Sequence, residues 1–225
     1  MPEAFFLDIL KSTLLVISGL FPIVNPLGGS PIFFSLTSDY TPADRQTLSR
    51  KIAMNSFFLL IGSYLIGAHI LSFFGISIPV VQVGGGLVVI STAWTMLQRG
   101  ANDERNQVHD DIEPQDQSRE AFYPLTLPLT VGPGSISVAI TLGADAPHDY
   151  PAKLATVIGA LIGSAAIGLS VYLCYGFADR LARILGRTAM TVIVRLSSFL
   201  LVCIGVQIFW NGLRALLSSV LLTGR

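Results

Sequence analysis

Asn25-Pro26-Leu27-Gly28-Gly29-Ser30-Pro31 lies inside an apolar run that starts near Phe5 and continues past Phe34. A helix needs roughly 20 apolar residues to cross a bilayer, and this run is long enough. It also carries prolines at 22, 26 and 31, with a glycine pair between the last two. Proline removes a backbone donor and clashes with the preceding turn, so the helix has to break at membrane depth. Broken backbone in hydrocarbon leaves N–H and C=O groups without partners, and it survives only where protein or a water-filled cavity supplies them. The break is therefore a candidate binding site.

Pro128-Leu129-Thr130-Val131-Gly132-Pro133-Gly134-Ser135 interrupts a second apolar run, from about Phe122 to Gly143, in the same way. One break in each half of a chain is the pattern of transporters built from internal repeats, which hold substrate at discontinuous helices. Composition agrees with a membrane protein. Of the 225 residues 52% are hydrophobic and only 12% charged, with a mean hydropathy of +0.65, whereas soluble domains carry about 25% charged residues. The 14 basic and 14 acidic residues cancel, so nothing global points to nucleic acid or to an acidic partner.

Six spans can be counted, at about 7–36 (broken), 52–74, 76–98, 122–143 (broken), 152–177 and 190–217. Thr41, Pro42 and Asp44 read as an N-cap, a proline at the first helical position and an acid in the first turn, so a polar approach to the second span starts at Thr41. The uncharged link 74–79 is short enough to make spans two and three antiparallel neighbours. Gly84-Gly85-Gly86 in span three serves close helix packing or lines a substrate path. Residues 99–120 form the one long polar segment, rich in Asp, Glu and Gln, and read as a mobile linker. His109 sits there among acids with no converging ligands for a metal, and no cofactor motif occurs. Cys174 and Cys203 lie in apolar runs as small buried residues. No basic stretch precedes the first span, which follows Glu3 and Asp8, so that span is expected to remain rather than be cleaved.

The links after spans one, three and five hold nine basic residues (Arg45, Arg50, Lys51, Arg99, Arg105, Arg119, Arg180, Arg183, Arg187), against four on the opposite side (Lys11, Lys153, Arg214, Arg225). The positive-inside rule then places both termini outside the cytoplasm. Phe74-Gly75 before span three matches Leu185-Gly186 before span six, and Pro26-Leu27-Gly28 corresponds approximately to Pro133-Gly134. Each half reads as broken helix, helix, short link, helix. With three spans per half the second is inserted upside down. The expected fold is thus all-α, with six transmembrane helices in an inverted 3+3 repeat and helices 1 and 4 discontinuous. Residues 1–98 form the first repeat, 99–121 a cytoplasmic linker and 122–225 the second repeat, within one membrane domain.

At each break a half-helix is expected to restart, near Ser30 and near Ser135. A helix N-terminus offers unpaired N–H groups and partial positive charge, which suits a carboxylate. Gly28, Gly29, Gly132 and Gly134 allow close approach to the backbone and dihedrals that side chains forbid. The hydroxyls of Ser30, Thr130 and Ser135 and the amide of Asn25 offer partners to the rest of a small zwitterion. These eight residues are the candidate substrate site; alternatively, the prolines and glycines only shape two re-entrant turns. No Asp or Glu falls in the middle of a span, so a coupling ion, Na+ or H+, would have to rest on carbonyls and neutral oxygens or be absent. Arg195 either snorkels or pairs with backbone carbonyls. His69 reads as an interface histidine, and Asn55, Gln82, Gln207 and Asn211 as interhelical hydrogen-bonding groups. An intramembrane enzyme finds little support: there is no Gly-x-Ser-x-Gly elbow, no His-Glu-x-x-His helix and no paired carboxylates. A channel for small solutes is the nearer alternative.

The segments NPLGGSPIF at 25–33, FGISIP at 74–79, PLTLPLTVGPGSI at 124–136 and RLSSFLLVCIGVQIFWNGL at 195–213 resemble the MarC family of bacterial and archaeal integral membrane proteins over nearly the whole chain. The resemblance implies a six-helix inner-membrane transporter or exporter of small neutral amino acids of the glycine, alanine and threonine class. In that family the broken first and fourth helices would hold the substrate, and Asn25, Gly28, Gly29, Ser30, Gly132, Gly134 and Ser135 map onto them. Export of drug-type compounds and assembly as a homo-oligomer are left open.

Overall fold

The computed structural model describes residues 2–99, 117–147 and 149–223, and all regular structure among them is helical. The helices are α1 (Pro2–Val24), α2 (Pro26–Leu36), α3 (Pro42–Phe73), α4 (Ile78–Arg99), α5 (Gln117–Glu120), α6 (Ala121–Thr130), α7 (Pro133–Ala144), α8 (Tyr150–Gly176) and α9 (Ala178–Thr223). Five stretches are long and apolar enough to cross a membrane, Phe5–Leu36, Pro42–Phe73, Ile78–Gln98, Tyr150–Gly176 and Thr188–Ser219. The pair α6 and α7, bent by 71°, makes a sixth if counted as one span. Most of the polar linker, with His109, lies outside the described residues.

The start of α3 follows from its sequence. Thr41 caps it by accepting a hydrogen bond from the Asp44 N–H at 3.2 Å, and Pro42 occupies the first turn, where its missing N–H costs nothing. α6 is shaped by its prolines. Pro124 and Pro128 push the preceding Tyr123 and Leu127 into extended backbone. The Thr126 and Thr130 hydroxyls answer by donating to the carbonyls of Ala121 and Leu125, at 2.6 and 2.7 Å.

Gly75 and Gly186, the turns before α4 and within α9, both have φ of 69°, where a Cβ would be strained. The turn at Gly75 does not make neighbours of the helices it joins. α3 packs on α6, α7 and α8, and α4 packs on α7 and α9; α3 and α4 do not pack along one another. The expectation that a short link forces contact is corrected here, because each helix finds a closer-fitting surface in the other half of the chain.

Those fits rest on small residues. A Cβ at Gly86 would stand 2.8 Å from the Gly205 carbonyl oxygen of α9, and one at Gly205 would stand 2.9 Å from the Ile90 N. Likewise a Cβ at Gly163 of α8 would stand 2.7 Å from Val16 of α1. Without a hydrophobic drive between helices in lipid, such close approach is what holds them together. For Gly85 and Gly86 the packing role is thus occupied. Gln82 reaches across to Thr141 and Asn55 to Thr126, both at 3.4 Å, but Gln207 bonds Asn211 within α9 at 2.9 Å rather than between helices.

Two bodies result. α1, α2, α3, α6, α7 and α8 surround the main core, which includes Leu20, Phe33, Leu60, Leu125, Ile167 and Tyr175. α4 and α9 form a pair that meets this body chiefly through α7 and α2. Leu14, Phe58, Ile162 and Leu196 are exposed on the outside, as an apolar solvent requires.

One end of the molecule is pinned by a buried arginine. Arg45, 4% exposed, donates from Nη2 to the Thr37 and Tyr40 carbonyls at 2.7 and 3.2 Å, and from Nε to the Thr37 hydroxyl at 3.1 Å. Its Nη1 lies 3.2 Å from Asp179 of α9, and its guanidinium covers the Phe34 ring at 4.9 Å. Tyr40 donates to Glu120 of α5; burial, and then this bond, push its phenol well above the ordinary value.

Candidate functional site

The first break is a single residue. Asn25 takes a left-handed conformation (φ 47°, ψ 59°), which asparagine tolerates better than most side chains. Its N–H still donates to the Phe21 carbonyl at 2.9 Å, and its carbonyl accepts from Gly29 N at 2.9 Å. Its side-chain Oδ1 accepts from Gly28 N at 3.1 Å. Helix α2 therefore restarts at Pro26 and not near Ser30, because Asn25 supplies both the turn and the cap. Pro26 has no N–H to offer, so the start of α2 is largely satisfied by its own residues.

The second break is the opposite. Gly132 is the N-cap of α7 and has no side chain to cap with, and Pro133 fills the first position. The N–H groups of Gly134 and Ser135 are left without a capping side chain, and among the described residues the Ser135 hydroxyl has no hydrogen-bond partner. This helix start carries the partial positive charge that an anionic group seeks.

The two breaks face one cavity of about 180 Å³. Asn25, Gly29, Thr130, Gly132, Gly134 and Ser135 line it, with Val88, Val89, Thr92, Ala93 and Met96 of α4 and Leu201 of α9. The other two candidates face away. The Ser30 hydroxyl donates to the Cys174 carbonyl of α8 at 2.9 Å, and Gly28 packs against Ser197 of α9. None of the four candidate glycines has the positive φ expected of it; among the described residues the positive-φ positions are Asn25, Gly75 and Gly186. What the glycines provide is room. A Cβ at Gly29 would stand 2.5 Å from the Tyr175 hydroxyl, and one at Gly134 would overlap Val89.

Tyr175 holds the breaks together from behind. It is fully buried in α8, stacks on Phe33 of α2 at 4.6 Å, touches Gly29, and its hydroxyl lies 3.1 Å from that of Thr130. Neither Tyr175 nor Thr92 was legible as a site residue by type alone. Gly85, Val89, Thr92 and Met96 do recur at helical spacing along one face of α4, a pattern that places Thr92 beside the glycine run. Arg195 and His69 are exposed and take no part in the cavity. No charged side chain lines it, and no group of three or more metal-ligating side chains occurs among the described residues.

A guest the size of benzene fits a cavity of about 150 Å³, whereas drug-sized ligands occupy about 300–1,000 Å³. The cavity therefore suits a small molecule, with apolar walls on α4 and free donors at α7.

Residues 10–217 match the family model described as MarC family integral membrane protein. The chain is 32% identical to the UPF0056 membrane protein YvbG of Bacillus subtilis over 89% of its own length and 93% of that protein. It is 30% identical to the UPF0056 inner membrane protein MarC of Citrobacter koseri, covering 95% and 99% of the two chains. A UPF0056 membrane protein of Pyrococcus abyssi is also 30% identical, over 92% and 97%. No solved structure matches the chain.

Proposed function

The chain belongs to the MarC family of integral membrane proteins, and we propose that it is a secondary carrier of small neutral amino acids in the cytoplasmic membrane. The observation that carries this is the meeting of both breaks in one uncharged cavity, with the uncapped start of α7 facing it. The substrate carboxylate binds the Gly134 and Ser135 N–H groups and the Ser135 hydroxyl. A short side chain lies against Val88, Val89 and Ala93. Asn25, Gly29, Thr130 and Gly132 complete the wall, while Gly28 and Ser30 support the site from outside the cavity.

The same proposal takes the architecture as an inverted repeat of residues 1–98 and 122–225 joined by the linker 99–121, with α1/α2 and α6/α7 as corresponding discontinuous helices. Two facts support it. Gly75 and Gly186 hold equivalent turns with the same φ. The packing also maps onto itself when the halves are exchanged: α1 on α8 corresponds to α6 on α3, and α2 on α9 to α7 on α4. With the basic links inside the cell, both termini lie outside. Alternating access then moves the α4/α9 pair against the remaining helices, a division that cuts across the two halves.

Counterflow of labelled alanine into proteoliposomes preloaded with unlabelled alanine tests the carrier. Uptake is expected to need the preload, and Ser135→Ala is expected to weaken apparent affinity about 10- to 100-fold, the worth of a hydrogen bond to a charged group. Uptake that ignores the preload would establish a channel instead. No uptake by a folded preparation would withdraw the amino-acid assignment.

A further inference from the structure

A second cavity, of about 320 Å³, lies in the same seam between the α4/α9 pair and the rest of the molecule. Ser18, Gln82, Thr141, Gln207 and Asn211 line it, and Ile23 lines both cavities. Along α4, Gln82 and Thr92 are separated by about 15 Å of helix rise, so the two polar sets stand at different depths. The break cavity extends toward Met96 and the linker end of α4. The second extends toward the end where α4 begins and α9 finishes.

Three observations point to water in the second cavity. Gln207 and Asn211 are exposed although they fall inside the apolar span Thr188–Ser219, and an amide facing hydrocarbon loses the hydrogen bonds it would make in water. Their mutual bond leaves the remaining donors and acceptors of both amides unused. Ser18 and Thr141 bring hydroxyls to the same space, and no charged residue lines it.

Between the cavities the seam is closed by direct contact. Gly85 lies against Ser137 and Gly134 against Val89, so tightly that neither glycine has room for a Cβ. The Ser137 hydroxyl donates to the Val81 carbonyl at 3.0 Å. Ile23 completes this barrier on the α1 side.

We propose that the second cavity is the water-filled half of the transport route on the side of the termini, taking a hydrated, uncharged polar solute or zwitterion, and that the crossing of α4 residues 85–89 over α7 residues 133–137 is the gate. The inference rests on the carrier reading for its solute, but its test does not. In the full chain with Cys174 and Cys203 replaced by serine, single cysteines are placed at Gln207, Val206 and Thr92 and treated in proteoliposomes with a membrane-impermeant maleimide from one side at a time. Gln207→Cys is expected to react at least about 10-fold faster than Val206→Cys, an exposed neighbour that does not line the cavity, because the thiolate that reacts forms only in contact with water. It does so from the side of the C-terminus, whereas Thr92→Cys reacts from the opposite side. Equal rates at 206 and 207 would overturn the wet cavity. Labelling of Thr92→Cys equally from both sides would overturn the gate. If the labelling pattern holds while alanine counterflow fails, the route stands and the amino-acid assignment falls.

Discussion

Asn25 and Arg45 show how much one residue can decide in this chain. Asn25→Ala forfeits the cap of α2, worth about 1 kcal/mol, and loses the local side-chain hydrogen bonding that makes left-handed backbone tolerable to asparagine, at a further cost of about 1 kcal/mol. Asn25→Gly keeps the turn and loses only the cap, so thermal melts of the purified protein should rank wild type above Gly and Gly above Ala. A reversed order would mean that Asn25 acts through the cavity and not through the turn. Arg45 binds the ends of α2, α3 and α9 together; its removal takes one of two cationic partners from Asp179, which keeps Arg183, and one of two donors from the Thr37 carbonyl, and it takes the arginine donor from the Tyr40 carbonyl. Arg45→Ala is expected to destabilise by about 1.5–3 kcal/mol, the worth of hydrogen bonds made by a charged group. Arg45→Lys should recover little, since an ammonium cannot reproduce the fork that serves Thr37, Tyr40 and Asp179 together; a melt equal to wild type would show that charge alone suffices. In the sequence Arg45 was legible only as one basic residue in a loop, because its partners come from 34–40 and from Asp179, which no local pattern connects.

At the level of elements, the two helix starts that look alike in sequence behave differently in space. The interruptions at Asn25 and at residues 131–132 stand beside prolines, whose chemistry is local, and the cap at Thr41 was legible for the same reason. Which break keeps free donors was not legible, because it depends on whether the residue before the proline has a side chain that can turn back: Asn25 does and Gly132 does not. The role of the glycines was also hidden, for it lies in what stands opposite them, Val89 and Tyr175, residues from other spans. This gives a test on α4 and α7 as a pair. Gly134→Ala should lower stability by overlap with Val89, and adding Val89→Ala should restore at least about 1 kcal/mol of the loss, a coupling typical of touching residues. Additive effects would show that residues 89 and 134 do not meet.

Across the whole molecule, the halves defined by sequence are not the bodies defined by packing. Nearly every helix pair that packs joins a helix from residues 1–98 to one from 122–225. The apolar spans followed from hydropathy; their partners did not, because small-residue fits carry no address in a single sequence. Severing the chain between residues 100 and 116 should therefore leave function intact when both pieces are expressed together, whereas either piece alone should be degraded or sensitive to protease. A protease-resistant first half would contradict the interleaved packing. Interleaving also sets the order of events during synthesis. At about 5–20 residues per second, the ribosome needs roughly 6 to 25 seconds to complete the second half after the first has entered the membrane. Throughout that interval α1 to α4 lack the surfaces they are shaped for, so the newborn protein depends on the insertion machinery to shelter its glycine-lined faces until their counterparts arrive.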